Sequence, residues 1–333
     1  MNRILGILGL FLFVFIATWL AADVFSGDRA SFLTAYNQSN MIRRVALFGI
    51  ISIGVAFVII TGGIDLSIGS VICLAGVGFP WLVYTHEWPV WLALLAVLTV
   101  STGIGLFHGL LITRLKLTPF VVTLCGLLMY RGLARGFTED QSMGLGNDPT
   151  VKAIAFLGGG TLNLGWFKLP VPCLILAAIA IVAGIFLNRT VWGRHLLALG
   201  NNEEAARLSG INTNRLILLS YVTCSGLAGL AGLLFFFDVT SAQPSDFGNF
   251  YELYAIAAAV LGGCSLRGGQ GSIVGVVLGA AVMRYLANTI TQVSWIPNNI
   301  EFLVIGVVIL LGVITDELTR RAVARRRRSQ QLG

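Results

Sequence analysis

Three glycine-rich segments interrupt the long apolar runs of this chain, and each carries polar residues that invite a chemical reading. The first is Thr61-Gly-Gly-Ile-Asp-Leu-Ser-Ile-Gly-Ser70, with Gly62, Gly63, Asp65, Ser67 and Gly69. The second is Leu261-Gly-Gly-Cys-Ser-Leu-Arg-Gly-Gly-Gln-Gly-Ser272, with Gly262, Gly263, Ser265, Gly268, Gly269 and Gly271. The third is Ser241-Ala-Gln-Pro-Ser-Asp-Phe-Gly248. A glycine-rich run before a helix can cradle phosphates, but a P-loop needs G-x-x-x-x-G-K-[ST], and neither of the first two segments contains a lysine. The chain therefore carries no nucleotide site of its own. It has no H-E-x-x-H helix, no G-x-S-x-G elbow and no paired carboxylates within its apolar runs, so no catalytic set is visible. Asp65 reads first as a cap that occupies exposed N–H groups at the following helix start, with an ion site as the alternative. Cys73, Cys125, Cys173, Cys224 and Cys264 are far apart, without a C-x-x-C spacing, and His86, His108 and His195 are equally dispersed. Neither a metal site nor a disulfide framework is indicated.

A different chemistry, that of a docking helix, is written in Trp192-Gly-Arg-His-Leu-Leu-Ala-Leu-Gly-Asn-Asn-Glu-Glu-Ala-Ala-Arg-Leu-Ser-Gly-Ile-Asn212. Asn201 is expected to cap a short helix, and Glu204, three residues on, to reach back as in a capping box. Gly210 supplies the left-handed stop. Between these ends Glu203 and Arg207 stand one turn apart and can pair, while Ala205, Leu208 and Ile211 offer a small apolar face. A helix of two turns does not persist alone in water, so it must rest on something. The segment Asn201, Asn202, Glu203, Glu204, Ala205, Ala206, Arg207, Leu208, Ser209 and Gly210 is read as the part on which another protein pushes. An ordinary surface helix between membrane spans is the plain alternative.

The elements that must position these residues follow from composition. Of 333 residues 56% are hydrophobic and 11% charged, whereas a soluble globule carries about 25% charge. The chain reads as an all-α polytopic membrane protein. An apolar helix of about 20 residues crosses a bilayer, and such runs lie near 4–22, 42–61, 66–84, 89–112, 119–136, 170–187, 215–236, 250–263, 272–289 and 299–315, giving about ten spans. The run 4–22 is longer than a signal-peptide core and lacks a cleavage site, so it is expected to be retained. The net charge of +7 does not imply nucleic acid, because Arg320, Arg321 and Arg325 to Arg328 form a basic tail, 316–333, suited to anionic membrane lipid.

Lys and Arg collect in the segments that are internal when both termini are cytoplasmic. This places the first two glycine-rich turns and the loop 188–214 inside. Outside lie the Ser241–Gly248 segment and a loop at 137–169, expected to be irregular with a short helix. The pair Arg43-Arg44 falls outside, a departure that topology does not explain. No linker divides the chain, which reads as one membrane domain, 1–333.

The segments GGIDLSIGS (62–70), LKLTPFVVTL (115–124), WGRHLLALGNNEEAARLSGIN (192–212), SAQP (241–244) and YELYAIAAAVLGGCSLRGGQGSIVGVVLGA (251–280) resemble the permease subunits of ribose, galactose and arabinose type ABC importers. The resemblance covers nearly the whole chain in order. It implies a type II-like helical bundle in a bacterial inner membrane, with residues 201–211 as the coupling helix. It also implies ABC ATPase subunits, a second permease copy or related permease, and a periplasmic or lipid-anchored sugar-binding protein as partners. ATP and magnesium would sit on the ATPase, leaving no cofactor here. Arg29, Arg43, Arg44, Lys152 and Lys168 then become candidates for docking acidic patches on the binding protein. Where such permeases often carry Asn-Gly, this chain has His108-Gly109; His108 reads as a satisfied core residue, or else as a path-lining one. The rival readings are a branched-chain amino acid ABC permease and a self-sufficient secondary transporter.

Overall fold

The structure, a computed structural model, describes residues 2–25, 32–165, 167–293 and part of 300–314. Its helices are α1 (Asn2–Trp19, widening into a π-helix over Leu20–Phe25), α2 (Ala35–Ile60) and α3 (Ile68–Pro80, continued by a π-helix over Trp81–Thr85). There follow α4 (Val90–Arg114), α5 (Pro119–Phe137), α6 (Pro149–Gly159), α7 (Val171–Arg189), α8 (Val191–Asn201) and α9 (Glu203–Leu208). Then come α10 (Thr213–Val239), α11 (Tyr251–Leu261) and α12 (Ile273–Gln292). Among the described residues there are also four short strands, β1 (Met143–Gly144), β2 (Thr161–Asn163), β3 (Lys168–Pro170) and β4 (Ser241–Ala242).

Among the described residues eight helices are long and apolar enough to cross a membrane. The expected eighth span, 250–263, is instead the 11-residue α11, which at 1.5 Å per residue covers about 16 Å, half a bilayer core. The expected tenth, 299–315, lies partly outside the described residues, and the basic tail 316–333 lies wholly outside them.

The bundle is wrapped round α2, of which every residue from Ala46 to Ile60 is buried. It packs against α10, α12, α11 and α7. The tightest partnership is α4 with α10. In lipid there is no water to drive helices together, so contact depends on close van der Waals approach through small residues. A Cβ added at Gly105 would stand 2.3 Å from the Tyr221 carbonyl, and one at Gly109 would stand 3.0 Å from the Leu218 Cα.

The 137–169 loop contains the expected short helix, α6, capped by Asp148, whose carboxylate accepts from the Thr150 and Val151 N–H groups. It also forms the β2–β3 hairpin and the β1–β4 pair, Met143 opposite Ala242. The loop is thereby tied to the chain that leaves α10.

Candidate functional site

The short helix of the charged segment is α9, and its N-cap is Asn202, not Asn201. Asn202 Oδ1 accepts from the Ala205 N–H at 2.9 Å, while Asn201 ends α8, its amide donating to the Leu197 carbonyl at 2.9 Å and the Gly269 carbonyl at 3.4 Å. With the cap one residue later, Glu204 sits too early in the helix for a capping box. The stop is as expected. Gly210, at φ +83°, donates to the Arg207 carbonyl and Ile211 to the Ala206 carbonyl, the two bonds of a Schellman ending. Asn212 then caps α10 by accepting from the Arg215 N–H at 3.1 Å.

The apolar face differs from expectation. Ala206 is the buried residue, with Ile211 half-buried behind it, while Ala205 is exposed and Leu208 is 83% exposed. Glu203 and Arg207 are both exposed and form no ion pair with each other. α9 is thus seated through one small side chain and its two ends, and it presents Glu203, Glu204, Arg207 and Leu208 outward.

Immediately before α9 the first two glycine-rich segments meet. The Gly269 N–H donates to the Ile60 carbonyl at 2.9 Å. A Cβ on Gly200 would fall 1.9 Å from the Ile60 oxygen, and one on Gly268 would fall 2.8 Å from the Gly200 oxygen and 2.9 Å from the Gly62 nitrogen. Gly62, Gly263, Gly268 and Gly269 hold φ between +74° and +91°, the left-handed region that glycine enters without strain. Gly262 and Gly271 serve close packing, against Val276 and Ile60. Ser265 Oγ accepts from the Arg267 N–H at 3.2 Å.

The first segment is not a cytoplasmic turn throughout. Only Thr61 to Gly63 turn at the α9 end; Ile64 to Ser67 run inward, and α3 starts level with the middle of α5, where Ser70 Oγ donates to the Leu127 carbonyl. Asp65 is fully buried. Its Oδ1 accepts from the Ser67 N–H and hydroxyl at 2.9 and 2.7 Å, so it caps a local turn while Ser67 makes no side-chain cap. Beside it the Tyr221 hydroxyl donates to the Ile64 carbonyl at 3.0 Å.

The Ser241–Gly248 segment, expected as an outer loop, also turns inward. Arg131 Nη1 donates to the Pro244 and Phe247 carbonyls at 2.9 and 2.6 Å, and the Phe247 ring lies against Gly76. Gly69, at the start of α3, touches Gly248 and the carboxyl of buried Glu252, at the start of α11. Two interrupted helices therefore begin beside each other inside the bundle, an arrangement that lets non-helical backbone survive at membrane depth because protein surrounds it.

At the end opposite α9 the first turns of α2 and the last turns of α10 and α12 enclose a polar cavity of about 580 Å³. Arg43 faces it and pairs with Asp238 at 3.0 Å. Arg44 and Arg284 also line it, and the Arg284 guanidinium lies 4.6 Å from the Phe48 ring centroid. Asn37 and Asn288 bond each other's amides across α2 and α12.

Residues 37–313 match the family described as Branched-chain amino acid transport system / permease component. The chain belongs to this permease family. It is 35% identical to the ribose import permease protein of Bacillus subtilis, across 95% of this chain and 93% of that one. It is 36% identical to the ribose import permease protein of Escherichia coli K12, across 86% and 87%. It is 32% identical to the xylose transport system permease protein of the same organism, across 94% and 93%. The permease is a multi-pass membrane transport subunit, not an enzyme.

The docking candidates on this permease are dispersed. Lys152 donates to Asn147 at 3.0 Å and Lys168 stands exposed on β3, whereas Arg43 turns into the cavity; Arg29 lies outside the described residues. His108 is 1% exposed and its Nε2 lies 2.8 Å from the Tyr130 hydroxyl, so it packs in the core, but it is only half satisfied there, because its Nδ1 is buried without a hydrogen-bond partner. Sequence reasoning missed Asp238 and Arg284 as companions of Arg43-Arg44. The signal was available, since Arg284 is a charge inside an apolar span.

Proposed function

We propose that this chain is the membrane subunit of an ABC importer that moves a simple sugar, a pentose or hexose, across a bacterial cytoplasmic membrane with both termini on the cytoplasmic side. The ribose and xylose permeases among its relatives support a sugar over a branched-chain amino acid. The seating of α9 carries the mechanism. A helix held by Asn202, Ala206 and the Gly210 stop, with its charged side chains outward, is built to receive force from another chain. ATP binding closes two partner ATPases, which displace α9. Because Gly200 and Asn201, just before it, touch Ile60 and Gly269, that displacement passes to α2 and to the turn before α12. The interrupted starts of α3 and α11 then re-pack between outward and inward openings. A second permease copy or a related permease completes the pathway, ATP and magnesium reside on the ATPases, and a sugar-binding protein delivers solute at the opposite face, where Lys152 and Lys168 are candidates to dock it.

Charge reversal at Glu204 or Arg207 tests this in cells or proteoliposomes containing the ATPase and binding protein. Uptake should fall while ATP hydrolysis continues. Uptake unchanged at normal expression would refute the coupling role of α9.

A further inference from the structure

A groove of about 500 Å³ lies between α7 and α10 in the half of the bundle nearer α9. Val182 and Phe186 line one wall, Leu219 and Thr223 the other, and Phe57 of α2 forms the floor. Phe57 and Phe186 meet edge to face with ring centroids 5.7 Å apart. The lining is hydrocarbon but for Thr223 and Ser220, and the Ser220 hydroxyl is already committed to the Leu216 carbonyl at 2.9 Å. α6 packs against both walls at one end and α8 at the other, where Leu196 closes the groove. Val182 is 68% exposed, so the groove opens sideways, towards the bilayer.

Both walls run into arginine at the α9 end. On α10 the row of Thr223 and Leu219 continues four residues back to Arg215, and on α7 Arg189 follows Phe186 by three residues, spacings that keep side chains on one helix face. Arg194 stands on α8, two residues before Leu196. All three arginines are exposed, and none of their guanidinium groups has a hydrogen-bond or ion-pair partner among the described residues. Between Asp148 and Asp238 the sequence holds no carboxylate except Glu203 and Glu204, which α9 presents outward. Trp192, in the first turn of α8, is exposed, and an exposed tryptophan beside basic residues is the mark of the headgroup level of a bilayer.

An empty groove forfeits the dispersion contacts of its lining, and in the apolar part of a bilayer an acyl chain supplies them. Hydrocarbon alone leaves the arginines unexplained. The bias of basic residues towards the cytoplasm accounts for their side of the membrane but not for their alignment with the two walls. A phosphodiester accounts for both, because the guanidinium fork matches two of its oxygens at once, and basic pockets between membrane helices on the cytoplasmic side suit anionic headgroups.

We propose that this groove seats one anionic phospholipid, with an acyl chain between α7 and α10 and the headgroup phosphate among Arg189, Arg194 and Arg215. The inference rests on the cytoplasmic placement of α8 and α9 in the transport reading, and on none of its solute chemistry. α8, which leads into α9, then leans on the lipid as well as on α7, so the coupling segment is seated partly on the membrane itself.

The test is native mass spectrometry of the full-length permease, purified in detergent and mixed with equal amounts of palmitoyl-oleoyl phosphatidylglycerol and phosphatidylcholine. One phosphatidylglycerol should be retained per chain in about tenfold preference, as expected for several basic groups acting on one headgroup. Arg189→Gln combined with Arg215→Gln should bring the two lipids close to parity, whereas Arg114→Gln, at the exposed end of α4, should not. Val182→Trp fills the groove from an exposed position and should release the phosphatidylglycerol with all three arginines intact. Equal retention of the two lipids by the wild type, an unchanged preference in the double arginine variant, or full retention in Val182→Trp overturns the proposal. Displacement of the lipid by inorganic phosphate would reveal a site for free anions, and conversion of a dimer to monomers by Val182→Trp would reveal a subunit interface; either overturns it as well. Bound lipid is counted without ATPase, binding protein or solute, so this test and the uncoupling test on Glu204 and Arg207 can fail separately.

Discussion

Gly269 donates its backbone N–H to the carbonyl of Ile60 at 2.9 Å, and this bond joins the turn after α11 to the last residue of the buried α2. Gly200, at the end of α8, closes over the same carbonyl. Three backbones meet where no side chain intervenes, and α9 begins three residues after Gly200. Force applied to α9 therefore reaches the centre of the bundle through main-chain contacts, which are stiffer than contacts between long side chains.

Gly200→Ala tests that junction. The added methyl would overlap the Ile60 oxygen, and neither backbone can yield without disturbing the Gly269 bond. Overpacking of this kind costs about 1–3 kcal/mol. A lower unfolding temperature is expected, together with fewer solute molecules moved per ATP hydrolysed. Wild-type stoichiometry and stability would show that the junction is slack.

The two faces of α9 should separate stability from coupling. Leu208 is 83% exposed, so Leu208→Ala should change the permease's own stability by no more than about 0.5 kcal/mol while weakening co-purification of the ATPase. Asn202→Ala removes the cap and should destabilise the helix by about 1 kcal/mol, whereas Asn201→Ala leaves the cap in place. Equal effects of the two asparagine substitutions on thermal unfolding would contradict the assigned cap.

Much of this arrangement was legible in the chain. Length and apolarity were enough to locate the eight long apolar helices among the described residues, because a bilayer sets a minimum length for a span, but they also marked 250–263, where only the 11-residue α11 forms. Gly210 betrayed the end of α9, because only glycine sits easily at that φ. The cap was misplaced because Asn201 and Asn202 are chemically equivalent, and what separates them is tertiary: Asn201 continues α8 and reaches Gly269. The inward course of Ile64–Ser67 and Ser241–Gly248 was not legible either. It depends on partners distant in sequence, Tyr221 for the first and Arg131 for the second. The cavity was half-visible, since Arg43-Arg44 stood out as misplaced charge, yet Asp238 is 195 residues away from Arg43.

Arg131 should govern the inward segment. Its guanidinium holds the Pro244 and Phe247 carbonyls, and hydrogen bonds from a charged donor contribute about 1.5–3 kcal/mol each. Arg131→Gln should speed amide hydrogen exchange across 243–250 while leaving α2 protected. Unaltered exchange there would mean that Cys73, whose thiol also donates to the Pro244 carbonyl at 3.3 Å, and the packing of Phe247 on Gly76 hold the segment alone.

Cys264 offers a reporter for the glycine-rich turn itself. It is 2% exposed, and burial pushes its thiol up to about 12, against a smaller opposing effect of a hydrogen bond with the Ser272 backbone. Only the thiolate reacts with maleimides, so in the closed turn Cys264 has almost no reactive form until pH approaches 12. At pH 7 N-ethylmaleimide should therefore modify Cys264 in the resting permease far more slowly than it modifies a free thiol in solution. If displacement of α9 re-packs this turn, ATP added to the assembled importer should bring the Cys264 thiol towards water, lower its pKa and accelerate its labelling, and Glu204→Lys should abolish the acceleration. A Cys264 rate indifferent to ATP would mean that the turn is a fixed pivot, with motion passing through α2 alone.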